Sequence, residues 1–536
     1  MAPAFLFEAR DRVVLVAFAL TLSLVFNWRV WLSGLNLCPV AWPALKGDRW
    51  SRLANLLLEN GLAVILLMAA ALRLVGIAHD QLWYDEGFTA AVARLPVGQL
   101  LAATAADVHP PLLYLIEKPF VMLFGINEWA LRLPAALLGT VAIWLAFQVV
   151  RELAGEHAGL LAAGLLAVSP FAIYYSNEAR MYSLLLAAVL LATLGALRQR
   201  AWLVVVGLTA ALMSHNLGAL YVPVVGALVW QRSGLRRALL VCGTATLVWA
   251  TLWGPVVLAQ MGEMQQAGYW IEQSQASAVG RWLHEVKSLL FGPDVLSWII
   301  PVDSLIAFAL LLLPVMEAVR RRSVAGLTLA WLAFAPAIEM LIIALAWKPM
   351  TLARPLIGGL YAWLGLVAWW ALLPRRWDLF RATAVGVAAS AFLLVTTQYY
   401  VYNRAPYAQP IAGWLQDHAQ PGDVIMYVNP SAYIALGPYL QNQTVCLSSD
   451  TSPLYKILTR PCEAEAWQRA WLVLVNSDYA PIPWSVERAE ALVKQYHGQE
   501  MFRFENSTAY AVVWELNQPP TLTLSLWERA GVRDAG

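Results

Sequence analysis

The chain has 536 residues, of which 60% are hydrophobic and only 13% are charged. Soluble globular proteins carry roughly 25% charged residues, so this composition leaves too little polar surface to cover a water-soluble particle. The net charge of +2 produces no overall field that would attract nucleic acid. The composition therefore predicts an integral membrane protein and argues against a nucleic-acid-binding protein.

Apolar runs of about 20 residues, the length that a helix needs to cross the hydrocarbon core, recur along most of the chain. From residue 60 onward they predict membrane-spanning helices near 61–78, 131–150, 158–174, 181–197, 201–217, 218–231, 238–258, 299–319, 325–347, 355–373 and 382–398. The segment 13–33 is a further candidate, in which Arg29 and the lack of a small-residue cleavage site argue against a removed signal peptide. The short apolar stretch 110–124 begins with two prolines and is predicted to lie in the membrane interface. The sequence thus predicts a polytopic α-helical protein with about 11–12 transmembrane helices.

Arginine clusters in alternate loops predict which side of the membrane each loop faces. Five short clusters lie in alternate loops between the predicted spans, and therefore on the same side of the membrane. They are Arg151; Arg198 and Arg200; Arg232, Arg236 and Arg237; Arg320, Arg321 and Arg322; and Arg375, Arg376 and Arg381. Because positive residues concentrate in short cytoplasmic loops, this side is predicted to be cytoplasmic. The opposite side then carries the loops 79–130, 174–180, 259–298 and 348–354, together with everything after about residue 399.

The chain after about residue 403 changes character. Short β-type runs near 423–428, 471–475 and 510–514 predict strands, and the stretches 408–418 and 485–497 predict helices. We expect a small extracytoplasmic α/β domain.

The predicted domains are an N-terminal segment with the extra candidate span, a transmembrane catalytic domain, the extracytoplasmic α/β domain and a disordered tail, over residues 1–60, 61–400, 401–517 and 518–536 respectively. The α/β domain contains Cys446 and Cys462. An extracytoplasmic location permits a disulfide between them, and the sequence leaves the bonded and the free forms open.

Residues suited to chemistry gather in the loops of the predicted outer side. In chain order they are Asp85, Glu86, Asp107, His109, Glu178 and Arg180. Taken singly, each pair is explained as well by solvated loop charges, by a local turn or by an exposed ion pair of little energetic value. Their joint occurrence on one side predicts that loops at neighbouring helix ends bring them to one membrane face.

The order of these motifs resembles that of a known superfamily. A span is followed by D-E at 85–86, then D-x-H-P-P-L at 107–112, then G-x-x-E-x-x-L-R-L-P at 125–134, then S-P-x-x-x-x-Y-S-x-E-x-R-M-Y at 169–182. This is similar to the GT-C glycosyltransferases, in particular to bacterial members grouped with the protein O-mannosyltransferases (family 39 type) and with the lipid A aminoarabinose transferases. The resemblance is close over residues 60–220 and extends to the other spans by topology alone.

The resemblance implies an enzyme of the bacterial inner membrane that takes a sugar from a polyprenyl-phosphate donor, of the undecaprenyl type, and transfers it to an acceptor at the extracytoplasmic face. In a direct displacement the acceptor hydroxyl needs a base, and the departing lipid phosphate needs positive charge. Asp85 matches the catalytic acidic position of the family and is predicted to be the general base, with Glu86 as its helper. Arg180 and Arg354 are predicted phosphate contacts, because a guanidinium is always charged and grips phosphate with two donors.

Further residues are predicted to bind the donor or the acceptor. His109 stands where the aminoarabinose transferases have a lysine before Pro-Pro, and it donates to phosphate only when protonated or in the suitable tautomer. The other predicted substrate-binding residues are Asp107, Glu178, Tyr182 and His215.

No cofactor is predicted, although the acids and the histidine of the first outer loop are ligands that suit Mg²⁺ or Mn²⁺. Two alternatives remain open: a glycan polymerase or ligase of the same fold that uses a pyrophosphate-linked donor, and a polytopic lipid or sugar transporter. A transporter places its coupling residues near the bilayer midplane, often in repeated halves, whereas the charged residues here lie at helix ends. The predicted partners are the lipid-linked donor, a lipid, glycan or protein acceptor, and the bilayer, without nucleic acid.

Overall fold

The computed structural model describes most of the chain from residue 60 onward. The described residues are 60–75, 77–78, 80–264, 278–291, 300–347, 351–373, scattered positions within 381–396, 407–441, 443–448, 453–458, 462, 467–477, 483–505 and 509–517. The candidate span 13–33, the predicted tail 518–536 and most of the predicted span 382–398 lie outside these residues.

Helices dominate the described chain. In chain order they are α1 Gly61–Val75, α2 Tyr84–Ala93, α3 Val97–Ala105, α4 Leu112–Phe124, α5 Glu128–Ala154, α6 Glu156–Ala167, α7 Pro170–Ser176, α8 Tyr182–Leu197, α9 Ala201–Ser214, α10 Tyr221–Ser233 and α11 Leu235–Met264. They continue with α12 Ala278–Phe291, α13 Ile300–Arg321, α14 Val324–Ala346, α15 Ile357–Ala371, α16 Ala408–His418, α17 Pro430–Leu436, α18 Pro453–Leu458 and α19 Pro483–Gln495. Two 3₁₀ turns cover Asn216–Leu220 and Arg354–Leu356.

Several of these helices have the length and composition of membrane spans. Among the described residues, α5, α14 and the stretch Leu235–Gly262 of α11 are long and apolar enough to cross a membrane, and the bent pair α6–α7 would add a fourth. The shorter apolar helices α1, α8 and α9 coincide with three more of the predicted spans. A multi-pass helical membrane protein is therefore confirmed, while the total of about 11–12 spans stays a prediction.

The predicted span 158–174 is not one straight helix. Its two parts, α6 and α7, meet at an angle of 60°. Ser169 lies at the break with extended backbone, and its hydroxyl accepts the N–H of Ala172 at 3.4 Å. Pro170 then takes the first position of α7, where its missing N–H costs nothing. The bend ends the helix early and leads directly into the loop that carries Glu178 and Arg180.

The chain forms two compact units that are discontinuous in sequence. The first, here called the helical unit, comprises Met1–Ile77 and Arg132–Tyr402, and the second, here called the sheet unit, comprises Ala78–Leu131 and Asn403–Gly536. The predicted domain division assigned 78–131 to the transmembrane domain, whereas in the structure this segment packs with the C-terminal residues. The reason is the shared core described below.

The sheet unit is built on a five-stranded mixed sheet. Its strands are β1 Val424–Tyr427, β2 Thr444–Leu447, β3 Arg469–Ser477, β4 Gln499–Glu505 and β5 Ala509–Asn517, in the order β2-β1-β3-β5-β4. The strand β1 pairs in parallel with β2 and β3, and β5 pairs antiparallel with β3 and β4. A disulfide joins Cys446 of β2 to Cys462, with 5.0 Å between the Cα atoms.

The predicted outer loop 79–130 folds into three helices, of which only α4 was expected. One face of α2, α3 and α4 contributes Phe88, Val92, Leu100 and Tyr114 to the same core as the strand residue Trp471. Burial of these side chains supplies the stabilisation that short helices lack on their own. The acidic residues of this segment are thereby attached to a folded scaffold.

Candidate active site

The predicted base lies on the first turn of α2. Asp85 is half-buried, whereas the neighbouring Glu86 is fully buried and its Oε2 accepts the N–H of Trp83 at 3.3 Å. Negative charge at this position is favoured by the unpaired N–H groups and the dipole of the helix N-terminus. The two adjacent acids therefore differ: Glu86 is held inward by the helix start, and Asp85 keeps access to solvent.

A glycine lets α2 approach α17 closely. A Cβ atom added to Gly87 would lie 2.2 Å from the carbonyl oxygen of Ile434 in α17, which is far inside van der Waals contact. Only glycine fits at this position without moving one of the two helices. Gly87 thus allows α2 to pack closely on α17, and this packing determines where Asp85 and Glu86 lie in the sheet unit.

Asp107 and His109 form a local pair ahead of α4. The Nδ1 atom of His109 lies 3.0 Å from Oδ2 of Asp107, and both side chains keep partial exposure. The carboxylate orients the imidazole ring through its Nδ1 atom. The geometry fits both expectations from the sequence, a local turn and a contact for an anionic group.

Sequence reasoning missed a buried acid on α4. Glu117 has no exposed surface, and neither of its carboxyl oxygens has a hydrogen-bond partner in the described part of the chain. Burial raises the pKa of Glu117 well above its ordinary value, and the nearby negative charge of Glu86 raises it further. Its signal in the sequence is an acid inside the apolar run 112–124.

The helical unit holds a second group of predicted site residues, beginning with an aromatic cluster. The ring of Tyr182 packs edge to face on Tyr175, with centroids 4.7 Å apart, and lies 6.2 Å from the ring of His215. His215 accepts the N–H of Leu217 at Nδ1, at 3.0 Å, so in its neutral form the proton lies on Nε2. Tyr182 and His215, two of the predicted substrate-binding residues, therefore lie close together in the helical unit.

The loop between α7 and α8 is held by a buried arginine that sequence reasoning missed. The guanidinium of Arg73 in α1 donates to the hydroxyl of Ser176 at 3.1 Å and to the carbonyl of Ala167 at 3.2 Å. The following residues Glu178 and Arg180 are both buried, and the N–H of Arg180 donates to the carbonyl of Glu178 at 2.7 Å. A rigid, water-poor loop thus presents a carboxylate and a guanidinium.

Arg354 belongs to the same charged neighbourhood. The charges of Glu178, Arg354 and Glu285 all interact with the hydroxyl of Tyr175. Glu285 lies on α12 and was also missed, because the sequence placed it in an outer loop without a motif. Burial raises its pKa, while the hydrogen bond from the N–H of Ala353 and the positive charge of Arg354 act in the opposite direction.

The predicted site residues therefore fall into two groups. The sheet unit carries the acids of α2 and the Asp107–His109 pair, and the helical unit carries Glu178, Arg180, Tyr182, His215 and Arg354. The meeting of both groups in one pocket stays a prediction. Within the described ranges, no three His, Cys, Asp or Glu side chains come close enough together to hold a metal ion.

The apolar helices and the small sheet unit define the class. The chain is a multi-pass membrane protein of the GT-C fold. Comparison with solved structures gives the same class. The fold is similar to that of ArnT from Cupriavidus metallidurans, with a TM-score of 0.57 and 16% identity, over 86% of this chain and 98% of ArnT. The same protein bound to undecaprenyl phosphate gives a TM-score of 0.52. At this identity the likeness shows the fold alone.

Sequence comparison points to mannosyltransferases. Residues 108–257 match the family described as dolichyl-phosphate-mannose-protein mannosyltransferase. Two proposed mannosyltransferases of Bacillus subtilis (strain 168) are similar, YycA with 30% identity over 89 residues and YkcB with 28% over 144 residues. The alignments span only 13% and 20% of those two proteins, and 17% and 25% of this chain. The resemblance to GT-C glycosyltransferases expected from the motifs is thereby confirmed.

Proposed function

We propose that this chain is a glycosyltransferase that moves a sugar from a polyprenyl-phosphate donor, of the undecaprenyl type, to an acceptor at the extracytoplasmic face of the bacterial inner membrane. The matched mannosyltransferase family and the fold shared with ArnT, a protein solved with undecaprenyl phosphate, support this donor class. The acceptor is a lipid, a glycan or a protein.

The proposed reaction is a single displacement. The acceptor oxygen attacks the anomeric carbon, and the bond from this carbon to the phosphate oxygen breaks. The acceptor proton passes to the carboxylate of Asp85, and the lipid phosphate leaves with one more negative charge than it carried in the donor. Arg180 and Arg354 stabilise that charge, and a guanidinium does so best where water is scarce.

The observation that carries the proposal is the contrast between the two acids of α2. A general base must reach its substrate, and Asp85 is half-buried with solvent access, whereas Glu86 has none. Glu86 instead accepts the N–H of Trp83 at the start of α2. This arrangement leaves Asp85 as the acid of the pair that can reach an acceptor hydroxyl and makes Glu86 a supporting residue.

Replacement of the proposed base tests this function. We expect Asp85→Asn to lower the rate of sugar transfer by about 10²- to 10⁴-fold, the usual contribution of a general base, because an amide cannot take the acceptor proton. The measurement is transfer from a synthetic polyprenyl-phosphate sugar by the purified full chain in nanodiscs, with the released lipid identified by mass spectrometry.

The matched control is Asp417→Asn, an equal change at an exposed position of α16. Transfer at the wild-type rate by Asp85→Asn would remove Asp85 as the base. Transfer from a polyprenyl-pyrophosphate sugar, together with no transfer from the monophosphate donor, would favour the ligase alternative.

A further inference from the structure

We propose that Glu285 is a positioning residue that holds Arg354 in place for the phosphate of the donor. The proposal rests on the proposed function in one respect, the role of Arg354 as a phosphate contact. Glu285 itself does not need to touch the substrate. The evidence for this positioning role is that the segment before α15 is bonded to three helices of the helical unit.

The backbone on the N-terminal side of Arg354 is bonded to α12. The N–H of Ala353, a buried residue, donates to Oε2 of Glu285 at 2.6 Å. One residue earlier, the N–H of Leu352 contacts the sulfur of Met340 in α14 at 3.5 Å. The contact to Glu285 is the stronger of the two, because it is shorter and because a thioether sulfur is a weak acceptor.

The backbone on the C-terminal side of Arg354 is bonded to α10. The hydroxyl of Tyr221, which is fully buried, donates to the carbonyl oxygen of Pro355 at 2.7 Å. The 3₁₀ turn that begins at Arg354 is closed by the N–H of Leu356, which donates to the carbonyl of Ala353 at 2.9 Å. Arg354 therefore stands between two residues whose backbone groups are anchored, Ala353 and Pro355.

The helix that carries Glu285 is itself fixed. One turn earlier, the indole N–H of Trp282 donates to the carbonyl of Ala337 in α14 at 2.6 Å. Val286 and Leu289 are buried, and α12 packs against α7, α14 and the 3₁₀ turn. Residues three apart on a helix share a face, so Trp282 and Glu285 bind one surface together. The carboxylate is thus a rigid support for the segment before Arg354.

Rigid support matters at this position because the phosphate gains charge during the reaction. A guanidinium that is already in place stabilises that charge without reorganisation, and misplacement by about 1 Å can cost 10²-fold in rate. Loss of Glu285 would also leave the buried N–H of Ala353 without its acceptor, which favours displacement of the segment.

The test is a double-mutant cycle in the full chain in nanodiscs. We expect Glu285→Leu, which keeps the size and removes the acceptor, to lower kcat/KM for a polyprenyl-phosphate sugar by about 10- to 100-fold. In an Arg354→Gln background the same change should cost less than about twofold, because Glu285 acts through Arg354. Equal losses in both backgrounds would overturn the proposal.

Two further variants separate anchoring from charge and from damage to the helix. Glu285→Gln keeps an oxygen acceptor for Ala353 and should recover kcat/KM to within about threefold of the wild type. A loss as large as that of Glu285→Leu would show that the charge matters and the anchor does not. Leu283→Ala, at an exposed position of α12, is the matched control.

Amide hydrogen exchange of the peptide that contains residues 351–356 tests the anchor without any activity. Exchange should be faster in Glu285→Leu and unchanged in Glu285→Gln, and equal exchange in all variants would overturn the anchor. If the wild type transfers no sugar from polyprenyl phosphates, or if Arg354→Gln transfers at the wild-type rate, the proposed function of Arg354 fails, and the exchange result still decides whether Glu285 holds this segment.

Discussion

Glu117 is a buried ionisable residue whose charged form is destabilised by its surroundings. It lies on α4, outside the predicted spans, and is fully buried next to Glu86. Two buried carboxylates that are close together cannot both ionise at neutral pH. Glu86 accepts a backbone N–H at a helix start and Glu117 has no such partner among the described residues, so Glu117 is the one that keeps its proton.

The raised pKa of Glu117 predicts a pH-dependent stability. Above the ordinary pKa near 4.5 the unfolded chain has released this proton and the folded chain still holds it, so stability is lost as the pH rises toward the folded-state value. The loss is about 1.4 kcal/mol for each pH unit in that window. Glu117→Gln cannot ionise and escapes this loss, so its unfolding midpoint should rise relative to the wild type between pH 5 and pH 8.

Thermal unfolding of the detergent-solubilised chain at several pH values provides the measurement. The matched control is Glu490→Gln, the same change at an exposed position of α19. A difference between Glu117→Gln and the wild type that is the same at pH 5 and at pH 8 would show that Glu117 is ionised in the folded protein.

At the scale of elements, the contact between α2 and α17 couples the acidic pair to the sheet unit. Neither helix is long enough to be stable alone, and each is stabilised by the core that both share. Their closest approach is at Gly87, directly after the acidic pair. The packing of α17 and the position of the proposed base thus both depend on α2.

Gly87→Ala should separate the two helices. The added methyl group would lie 2.2 Å from the carbonyl oxygen of Ile434, so we expect a loss of about 1–3 kcal/mol in stability and a fall in transfer rate as Asp85 moves. Thermal unfolding and the transfer assay measure both effects. Gly413→Ala on α16, where an added Cβ atom would meet nothing within 4 Å, should instead be neutral or slightly stabilising.

A Gly87→Ala protein with the midpoint of Gly413→Ala would contradict the close approach of α2 to α17. A normal midpoint together with a lowered transfer rate would limit the effect to the acidic pair. Both variants gain the higher helix propensity of alanine. Only Gly87→Ala adds a steric clash with Ile434, so the difference between the two variants measures that clash.

At the scale of the whole molecule, the disulfide reports on orientation. Disulfides persist outside the cytoplasm and are rare inside it. The loops with few arginines and the C-terminal residues are predicted to lie on one side, and the bond between Cys446 and Cys462 requires an oxidising side. The arginine distribution and the disulfide are thus two separate arguments for the predicted orientation, which stays a prediction.

Thiol labelling tests this orientation in cells. We expect Cys446 and Cys462 to resist alkylation until a reductant is added, and Cys446→Ser to expose the thiol of Cys462 to a label that does not cross membranes. Loss of the bond, which closes a loop with a sequence separation of 16, should also lower stability by roughly 3 kcal/mol. Full alkylation without reductant in wild-type cells would place these cysteines in the cytoplasm and reverse the predicted topology.

The sequence predicted the central strands of the sheet but not the edge strands. The strands β1, β3 and β5 were expected, because their apolar residues are buried at the centre of the sheet. The strands β2 and β4 were not expected, since both lie at the sheet edges, where β4 exposes most of its side chains and β2 exposes Thr444. An edge strand is defined by its neighbour's hydrogen bonds more than by its own composition.

The sequence by itself determined the membrane class, the positions of most spanning helices and the fold resemblance. These properties depend on runs of about 20 apolar residues and on motifs that are read locally, so no distant contact is needed to find them. The pair Asp85–Glu86 belongs here as well, because its position directly after a span is visible in the residue order.

Only the tertiary structure decided which residues support that pair and the arginines. The raised pKa of Glu117 beside Glu86, the hydrogen bond from Ala353 to Glu285 and the hydrogen bond from Arg73 to Ser176 each depend on residues that are 31 to 103 positions apart along the chain. Burial and hydrogen bonding are properties of the folded neighbourhood, and the same glutamate would be an ordinary surface charge in another one.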